Sequence, residues 1–320
     1  MNRRKFIRNS SIAFTGLVSM PYCNRFTTSN KAMNQKNEII SVEIGGIKIH
    51  GLTSGLVKVK RSHKNPSLGF PAILLDPFWT EWMPIHTWLI EHPEGYILID
   101  TGENSQVNDK DYFSCDTING TVYRTILKFD IDKERELPHL LSKINIKPDN
   151  IRWVVLTHLH LDHVDGIRFF PNAEFVVAKN EYLINSPGHV PCLLPLWFAP
   201  RQVTFSPANN LGFNGSYALT QAKDVIIVPT PGHTYGHQSV ILRTNEQSIF
   251  FAGDTTFNQK QLYKTKVAGI CADKKAARKT IQQIQSFGKH HPMIYLPSHD
   301  VESAKRLRNL EVFNSQMFRT

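Results

Sequence analysis

The chain has 320 residues, 41% of them hydrophobic, 19 Phe and a net charge of +10. This is enough apolar material for one large core or two small ones, and the charge would suit a nucleic-acid partner if the body carried it. However, residues 1–36 hold seven Lys/Arg (Arg3, Arg4, Lys5, Arg8, Arg25, Lys31, Lys36) and no acid; subtracting them leaves +3 for residues 37–320, which removes charge as an argument for nucleic acid.

Residues 1–36 read as a leader and linker, and 37–320 as one domain. Arg3-Arg4 precede Lys5-Phe6-Ile7-Arg8, and a modestly apolar run from Ser11 to Met20 is too short to span a bilayer. The arrangement resembles a twin-arginine export signal, a route that carries folded proteins and would place the mature chain in the periplasm; a basic tail is the competing reading. Tyr22 stands before Cys23 where lipid attachment needs a small residue, so no lipid anchor is expected. Without the leader three widely spaced cysteines remain, Cys115, Cys192 and Cys271, with no CxxC pair. They are expected to be small apolar side chains, neither disulfide-bonded nor metal-ligating.

Ile39 to His50 alternates around Gly45-Gly46, the pattern of a hairpin, and Leu56 to Lys60 alternates again. Arg61 to Pro84 is a long connection rich in Pro, Phe and Trp, either pinned by its own aromatics or lining a pocket mouth. Thr87–Glu91 and Tyr96–Asp100 flank Pro93-Glu94-Gly95 as a second hairpin. At its end Asp100 is expected to cap a turn or to orient a ligand from behind, not to ligate. Residues 103–130 read as irregular. Leu137, Leu140, Leu141 and Ile144 have helical spacing.

A short apolar strand, Trp153-Val154-Val155-Leu156, then delivers Thr157-His158-Leu159-His160-Leu161-Asp162-His163. Three histidines and a carboxylate crowded onto the turn leaving a strand serve no structural need and read as metal ligands; a polar loop that happens to carry histidines is the plain alternative. Ala173 to Ala178 is a strand and Asn180 to Ile184 a short helical piece. Residues 186–222 read as an insertion. Pro187, Gly188, Pro191, Pro195 and Pro200 argue against regular structure, while Leu193, Leu194, Leu196, Trp197 and Phe198 are strongly apolar. Such a loop is either packed down as a lid or lines a site for an apolar group.

Val225 to Val228 leads to Thr230-Pro231-Gly232-His233-Thr234-Tyr235-Gly236-His237, and Ser248 to Ala252 to Gly253-Asp254. Lys274 to Phe287 is helical. Met293 to Leu296 delivers Ser298-His299-Asp300, and a closing helix, Val301 to Leu310, is expected to use Asp300 as its N-cap. No repeat and no transmembrane helix is evident. Strands in two runs, each followed by helices, suit two packed sheets covered by helices.

Five histidines and two carboxylates at strand ends are ligands enough for two metal ions. The set His158-x-His160-x-Asp162-His163, Gly232-His233, Asp254 and His299 resembles the metallo-β-lactamase superfamily over about residues 39–312. The resemblance implies an α/β fold, a four-layer αβ/βα sandwich with the metals at one edge. It implies His158, His160 and His233 on the first metal, Asp162, His163 and His299 on the second, and Asp254 bridging them. It also implies a hydrolase in which a bridging hydroxide attacks a carbonyl or phosphoryl group, with Asp162 orienting it and passing its proton to the leaving group. Zinc suits the donor set best, and Fe, Mn or Co could replace it. His237 resembles a non-ligating family position with a supporting role. Tyr235 could reach the site or be an exposed turn aromatic.

Within the superfamily, the intact Asp254 and Asp162-His163 differ from true β-lactamases. His160 stands where flavodiiron oxidases carry Glu, which favours hydrolysis over redox chemistry. The Thr87–Gly102 hairpin, the full ligand set and Ser298-His299-Asp300 are most similar to N-acyl-homoserine lactonases. That implies a small-molecule lactone or carboxylic ester with an apolar group. One position departs: those lactonases carry Tyr three residues after the bridging Asp, where this chain has Phe257, which cannot donate a hydrogen bond. Phe257, Tyr235, Trp197 and Phe198 are the candidate pocket residues. The alternatives are a glyoxalase II-like thioesterase, a phosphodiesterase or organophosphate hydrolase, and a metal-binding protein without catalysis.

Overall fold

The structure is a computed structural model that describes residues 38–207 and 211–314; the expectations for the leader, for export and for Cys23 lie outside them. Eight strands form the first sheet: β1 Ile39–Ile44, β2 Ile47–Val59, β3 Met83–His92, β4 Gly95–Ile99, β5 Leu127–Asp130, β6 Ile151–Val155, β7 Glu174–Ala178 and β8 Arg201–Val203. Their order is β1-β2-β3-β4-β6-β7-β8, with β5 pairing β2. The second sheet holds β9 Tyr217–Ala218, β10 Val225–Pro229, β11 Gln238–Arg243, β12 Ser248–Gly253 and β13 Met293–Pro297, in the order β13-β12-β11-β10-β9. The β1–β2 hairpin closes through Gly45 and Gly46, both at positive φ (59° and 79°). Such a turn matches the twist of the strands and favours residues without Cβ.

Alternate residues of each strand enter different cores. From β4, Ile97 and Ile99 point between the sheets and Leu98 outward; from β6, Trp153 and Val155 point inward and Val154 outward. In the second sheet Ile249, Phe251, Ile294 and Leu296 point inward, while Phe250, Met293 and Tyr295 point outward. Strands covered on both faces have no side left for polar residues and read as continuous apolar runs. Leu137, Leu140 and Leu141 of the helix Leu137–Ser142 cover the first sheet, and Ala277, Ile281 and Ile284 of the helix Lys274–His290 cover the second. The layers are therefore helix, sheet, sheet, helix: the expected four-layer αβ/βα sandwich.

Strand direction makes one edge of this sandwich special. β4, β6, β7 and β8 run parallel, as do β12 and β13. β10 shares the direction of β12, because both are antiparallel to β11. Residues that follow β6, β10, β12 and β13 therefore emerge together.

Several expectations are corrected. Leu56–Lys60 is not a separate strand but the end of the long β2, which is irregular between Thr53 and Gly55. The connection from Arg61 holds two short helices, Arg61–Lys64 and Phe70–Leu75. Residues 103–130 include the helix Thr117–Ile126, capped by Asp116, and the strand β5. The 186–222 insertion supplies an edge strand to each sheet, β8 and β9. The closing helix spans Ser303–Asn309 with Glu302, not Asp300, at its cap; Asp300 stands two residues before it, accepting the Glu302 N–H (3.2 Å) as well as Arg306 (2.6 Å) and the Gln259 N–H (3.0 Å). Cys115 and Cys192, expected to be unpaired, form a disulfide across 77 residues. The docking of Thr117–Ile126 onto the 186–193 loop brings them together. Cys271 is free. Among the described residues no helix is long and apolar enough to cross a membrane.

Candidate metal centre

Seven side chains converge on the shared edge. His158, His160, Asp162 and His163 follow β6, His233 follows β10, Asp254 directly follows β12, and His299 lies two residues beyond β13. Three overlapping groups place their ligand atoms within 4.8 Å of one another: His158, His160 and His233; His158, His163 and Asp254; Asp162, His163 and His299. His158 Nε2 and His233 Nε2 lie 3.0 and 2.9 Å from His160 Nδ1. His299 Nε2 is 3.3 Å from both Asp162 Oδ2 and Asp254 Oδ2, and His163 Nε2 is 3.4 Å from Asp254 Oδ1. Asp254 thus faces both sides, as a shared ligand would.

The donor atoms fit a cation. His160 Nε2 donates to the Pro187 carbonyl (2.9 Å), His299 Nδ1 to the Pro84 carbonyl (2.9 Å) and His163 Nδ1 to Asp100 Oδ2 (2.8 Å). Each ring spends its N–H outward and so turns a lone pair inward. The inward atoms His163 Nε2 and Asp254 Oδ1 face each other at 3.4 Å and are enclosed without a well-formed hydrogen bond, and enclosed polar atoms are rarely left so. On the outward side, His233 Nδ1 is likewise enclosed without a protein partner.

The electrostatics agree. Burial, followed by neighbouring imidazoles, holds His158 and His233 well below the ordinary histidine range, and burial and His189 lower His160. These three are neutral nitrogen donors. Burial works the same way on His163 and His299, but the carboxylates, Asp254 foremost, overcome it and push both upward. Burial would raise Asp254, yet His299 and His163 hold it well below its usual value. In a chain without metal, protons occupy the place where the carboxylates call for positive charge.

The surroundings fix these loops. Asp100, at φ 61° just past β4, also accepts from Thr157 N (2.7 Å) and Thr157 Oγ1 (2.8 Å), so it orients His163 without reaching the ligand cluster. His237 accepts the Asp254 N–H at Nε2 (3.0 Å) and meets Thr230 Oγ1 with Nδ1 (2.9 Å). Burial lowers it to about 4, and its role is to place Asp254. Glu181 binds Leu159 N (2.9 Å), Thr234 Oγ1 (2.7 Å), Gly236 N (3.0 Å) and His189 Nε2 (2.9 Å), tying together the loops that carry His158, His233 and Pro187.

Above the ligands lies a cavity of about 270 Å³. His160, Asp162, His233, Asp254 and His299 form its floor, and Val57, Val59, Phe70, Val122, Ile126 and Ile270 are among the apolar residues of its wall. Phe257 belongs to it, stacked on His299 with ring centroids 5.8 Å apart. The other three pocket candidates do not line it. Tyr235 borders a separate cavity with His237. Phe198 packs edge-on against Phe175, and Trp197 is also beside Phe175. Phe198 and Leu194 of the insertion pack on the outer core of the first sheet, whereas Val190 and Leu193 pack in the cluster that holds Val57, Val59 and Phe257; of the described insertion residues, Pro187 and Gly188 line the cavity itself. The sequence reading missed His63, Asn119, Tyr123 and Glu181. A lone His63 carries no signal, and Asn119 and Tyr123 sit in a segment read as irregular.

Known proteins resemble this chain in sequence and in fold. The pattern of the Metallo-beta-lactamase superfamily matches residues 80–299. An N-acyl homoserine lactonase of Bacillus thuringiensis is 27% identical over 266 residues, 82% of this chain and 96% of the relative. An N-acyl homoserine lactone hydrolase, solved with N-hexanoyl-L-homoserine at its catalytic metal centre, superposes with TM-score 0.67 and 22% identity, over 83% of this chain and 98% of the other. A dizinc quorum-quenching lactonase superposes with TM-score 0.57 and 18% identity, over 82% and 90%.

Proposed function

We propose that this chain, which belongs to the metallo-beta-lactamase superfamily and is a metal-dependent hydrolase, opens the ring of a lactone with an apolar substituent, foremost an N-acyl homoserine lactone. The observation that carries this reading is the cavity, whose floor is formed by five of the seven converging side chains, His160, Asp162, His233, Asp254 and His299, and whose wall is largely apolar. Its relatives named for lactone hydrolysis support the choice of substrate.

His158, His160 and His233 would hold one cation, Asp162, His163 and His299 a second, and Asp254 would serve both. Bound there, two such ions would supply the chemistry of an activated water and a polarised carbonyl near neutral pH. The chain does the rest. His163 and His299 are held in one tautomer by Asp100 and the Pro84 carbonyl. Asp162 faces the cavity beside His299, where its carboxylate orients the nucleophile, takes up its proton and returns it to the ring oxygen as the C–O bond breaks. Val57, Val59 and Ile126 give an acyl chain a place away from water.

The donor set also supports zinc, since it is rich in imidazole. The Cys115–Cys192 disulfide suits an oxidising compartment, in line with the twin-arginine pattern at Arg3-Arg4.

Metal analysis joined to a substrate panel tests the reading: acyl-homoserine lactones of several chain lengths, an aryl ester, lactoylglutathione and a phosphodiester. The expected result is about two metal ions per chain and turnover of lactones that improves with acyl length. Turnover of the phosphodiester or the thioester without any lactone would overturn it.

A further inference from the structure

His63 lies on the short helix Arg61–Lys64, 8% exposed, in the wall of the cavity that has His160, Asp254 and His299 in its floor. Its backbone is fixed: its N–H reaches the Lys60 carbonyl (3.0 Å), and its carbonyl accepts from Ile270 N (3.0 Å). Its ring meets Phe257 edge-on, centroids 5.9 Å apart, and Phe257 is stacked on His299. Its side chain makes no hydrogen bond, and Nδ1 is enclosed without a partner. A buried polar ring left unpaired is unfavourable and calls for an explanation. His160, His163 and His299 each give an N–H to a protein acceptor; His63 gives none.

Nδ1 is enclosed and Nε2 is not among the enclosed unpartnered atoms, so Nε2 is the ring nitrogen left to meet a guest in the cavity, and a proton there is the one that can be given. Phe257, the adjacent aromatic, has no hydroxyl to offer. We infer that His63 is the hydrogen-bond donor to the substrate's carbonyl oxygen, supplying from the helix Arg61–Lys64 what a hydroxyl at position 257 would supply; this rests on the carbonyl-hydrolase reading above. Donation by a neutral imidazole to an oxygen that gains charge in the transition state lowers the barrier. Burial, then His160, holds His63 at about 3, so the ring stays uncharged in the cavity wall.

The test compares metal-loaded wild type, His63→Leu, His63→Gln and the double variant His63→Leu/Phe257→Tyr. Turnover of a lactone and of an aryl ester is measured, with calorimetric binding of N-hexanoyl-homoserine, the ring-opened product. His63→Leu is expected to lower kcat by about 100-fold with metal content unchanged, and to weaken product binding. His63→Gln, which keeps an N–H, retains more, and Phe257→Tyr restores much of the loss, a rescue that damaged packing would not show. The assignment is overturned if His63→Leu keeps kcat and affinity near the wild-type values, or if a folded, metal-loaded double variant is no better than the single. Failure of the functional reading is distinct: the wild type itself would neither open a lactone or ester nor bind the product, and the role of His63 would fall with it.

Discussion

The two halves of the centre are built on opposite electrostatics. The half made by His158, His160 and His233 offers three neutral nitrogens, kept neutral first by burial. The half made by Asp162, His163 and His299 lies among carboxylates, and Asp254 and its neighbours draw positive charge onto both of its histidines. Their supports differ as well. His299 hangs from the Pro84 carbonyl in β3, and His163 from Asp100 at the end of β4. His160 hangs from Pro187 in a loop. One half is neutral and partly loop-held; the other is charged and held by strands. Two ions held in this cleft would therefore respond differently to the same perturbation.

The largest effect should come from the residue that belongs to both halves. Asp254→Asn removes the shared charge, and activity should drop by about 1000-fold, the cost of several kcal/mol of lost charge stabilisation. Single-half variants separate the two: His160→Ala and His299→Ala should each lower the bound metal from two ions toward one. Metal counting by mass spectrometry, with activity in parallel, reads this. If Asp254→Asn keeps both ions and its rate, the shared-ligand view is wrong.

That these histidines and carboxylates form one cluster was legible in the sequence because a metal site demands particular residue types, and four of the candidates crowd into the turn after β6. Two packed sheets covered by helices were legible from strands in two runs, each followed by helices, and the four-layer order was what the resemblance implied. The cavity wall was not legible. Val57, Val59, Ile126 and Ile270 are ordinary core residues, and they become a wall only because the helix Thr117–Ile126 docks beside the ligands. That helix was itself hidden, since β-branched residues and Gly120 make Thr117-Ile118-Asn119-Gly120-Thr121 a poor helix former. Its docking depends on contacts far apart in sequence: Tyr123 Oη to the Gly188 carbonyl (2.5 Å) and Cys115 to Cys192. No local pattern signals either. The leucines of the insertion misled for a related reason, since apolar character alone does not say which core a loop will cover.

The disulfide offers a sharper separation of the halves. Cys192 stands five residues beyond Pro187, on the loop that holds His160, while no ligand of the carboxylate half leans on that loop. By chain entropy a closed loop of this length stabilises by about 4 kcal/mol. Cys115→Ser should therefore lower the melting temperature, weaken binding of one ion several-fold and leave the other near its wild-type affinity. Equal weakening of both would show that the loop supports the whole edge.

The smallest effect is in pH, and it should split the halves by sign. His158, His160 and His233 are pulled below the ordinary 6.5, so under pH 6.5 the unfolded chain takes up protons that the folded chain refuses. Their contribution to stability is full above pH 6.5 and shrinks as the pH falls toward their folded values. His163 and His299 are pushed above 6.5; their contribution is full below pH 6.5 and is lost as the pH rises through their folded values. The centre of the chelated protein therefore contributes most near pH 6.5 and less on either side, by at most about 1.4 kcal/mol per pH unit for each histidine. If the metal-loaded protein binds its ions as proposed, all five rings would be neutral ligands and the alkaline loss should disappear. Thermal melts from about pH 5 to 9 on chelated and loaded protein compare the two. His163→Gln should reduce the alkaline loss in the chelated sample, because it removes one of the two protons held there by Asp254, Asp100 and Asp162. A chelated protein that gains stability steadily through pH 9 would mean that the carboxylate half does not hold those protons, and that the two halves are electrostatically alike.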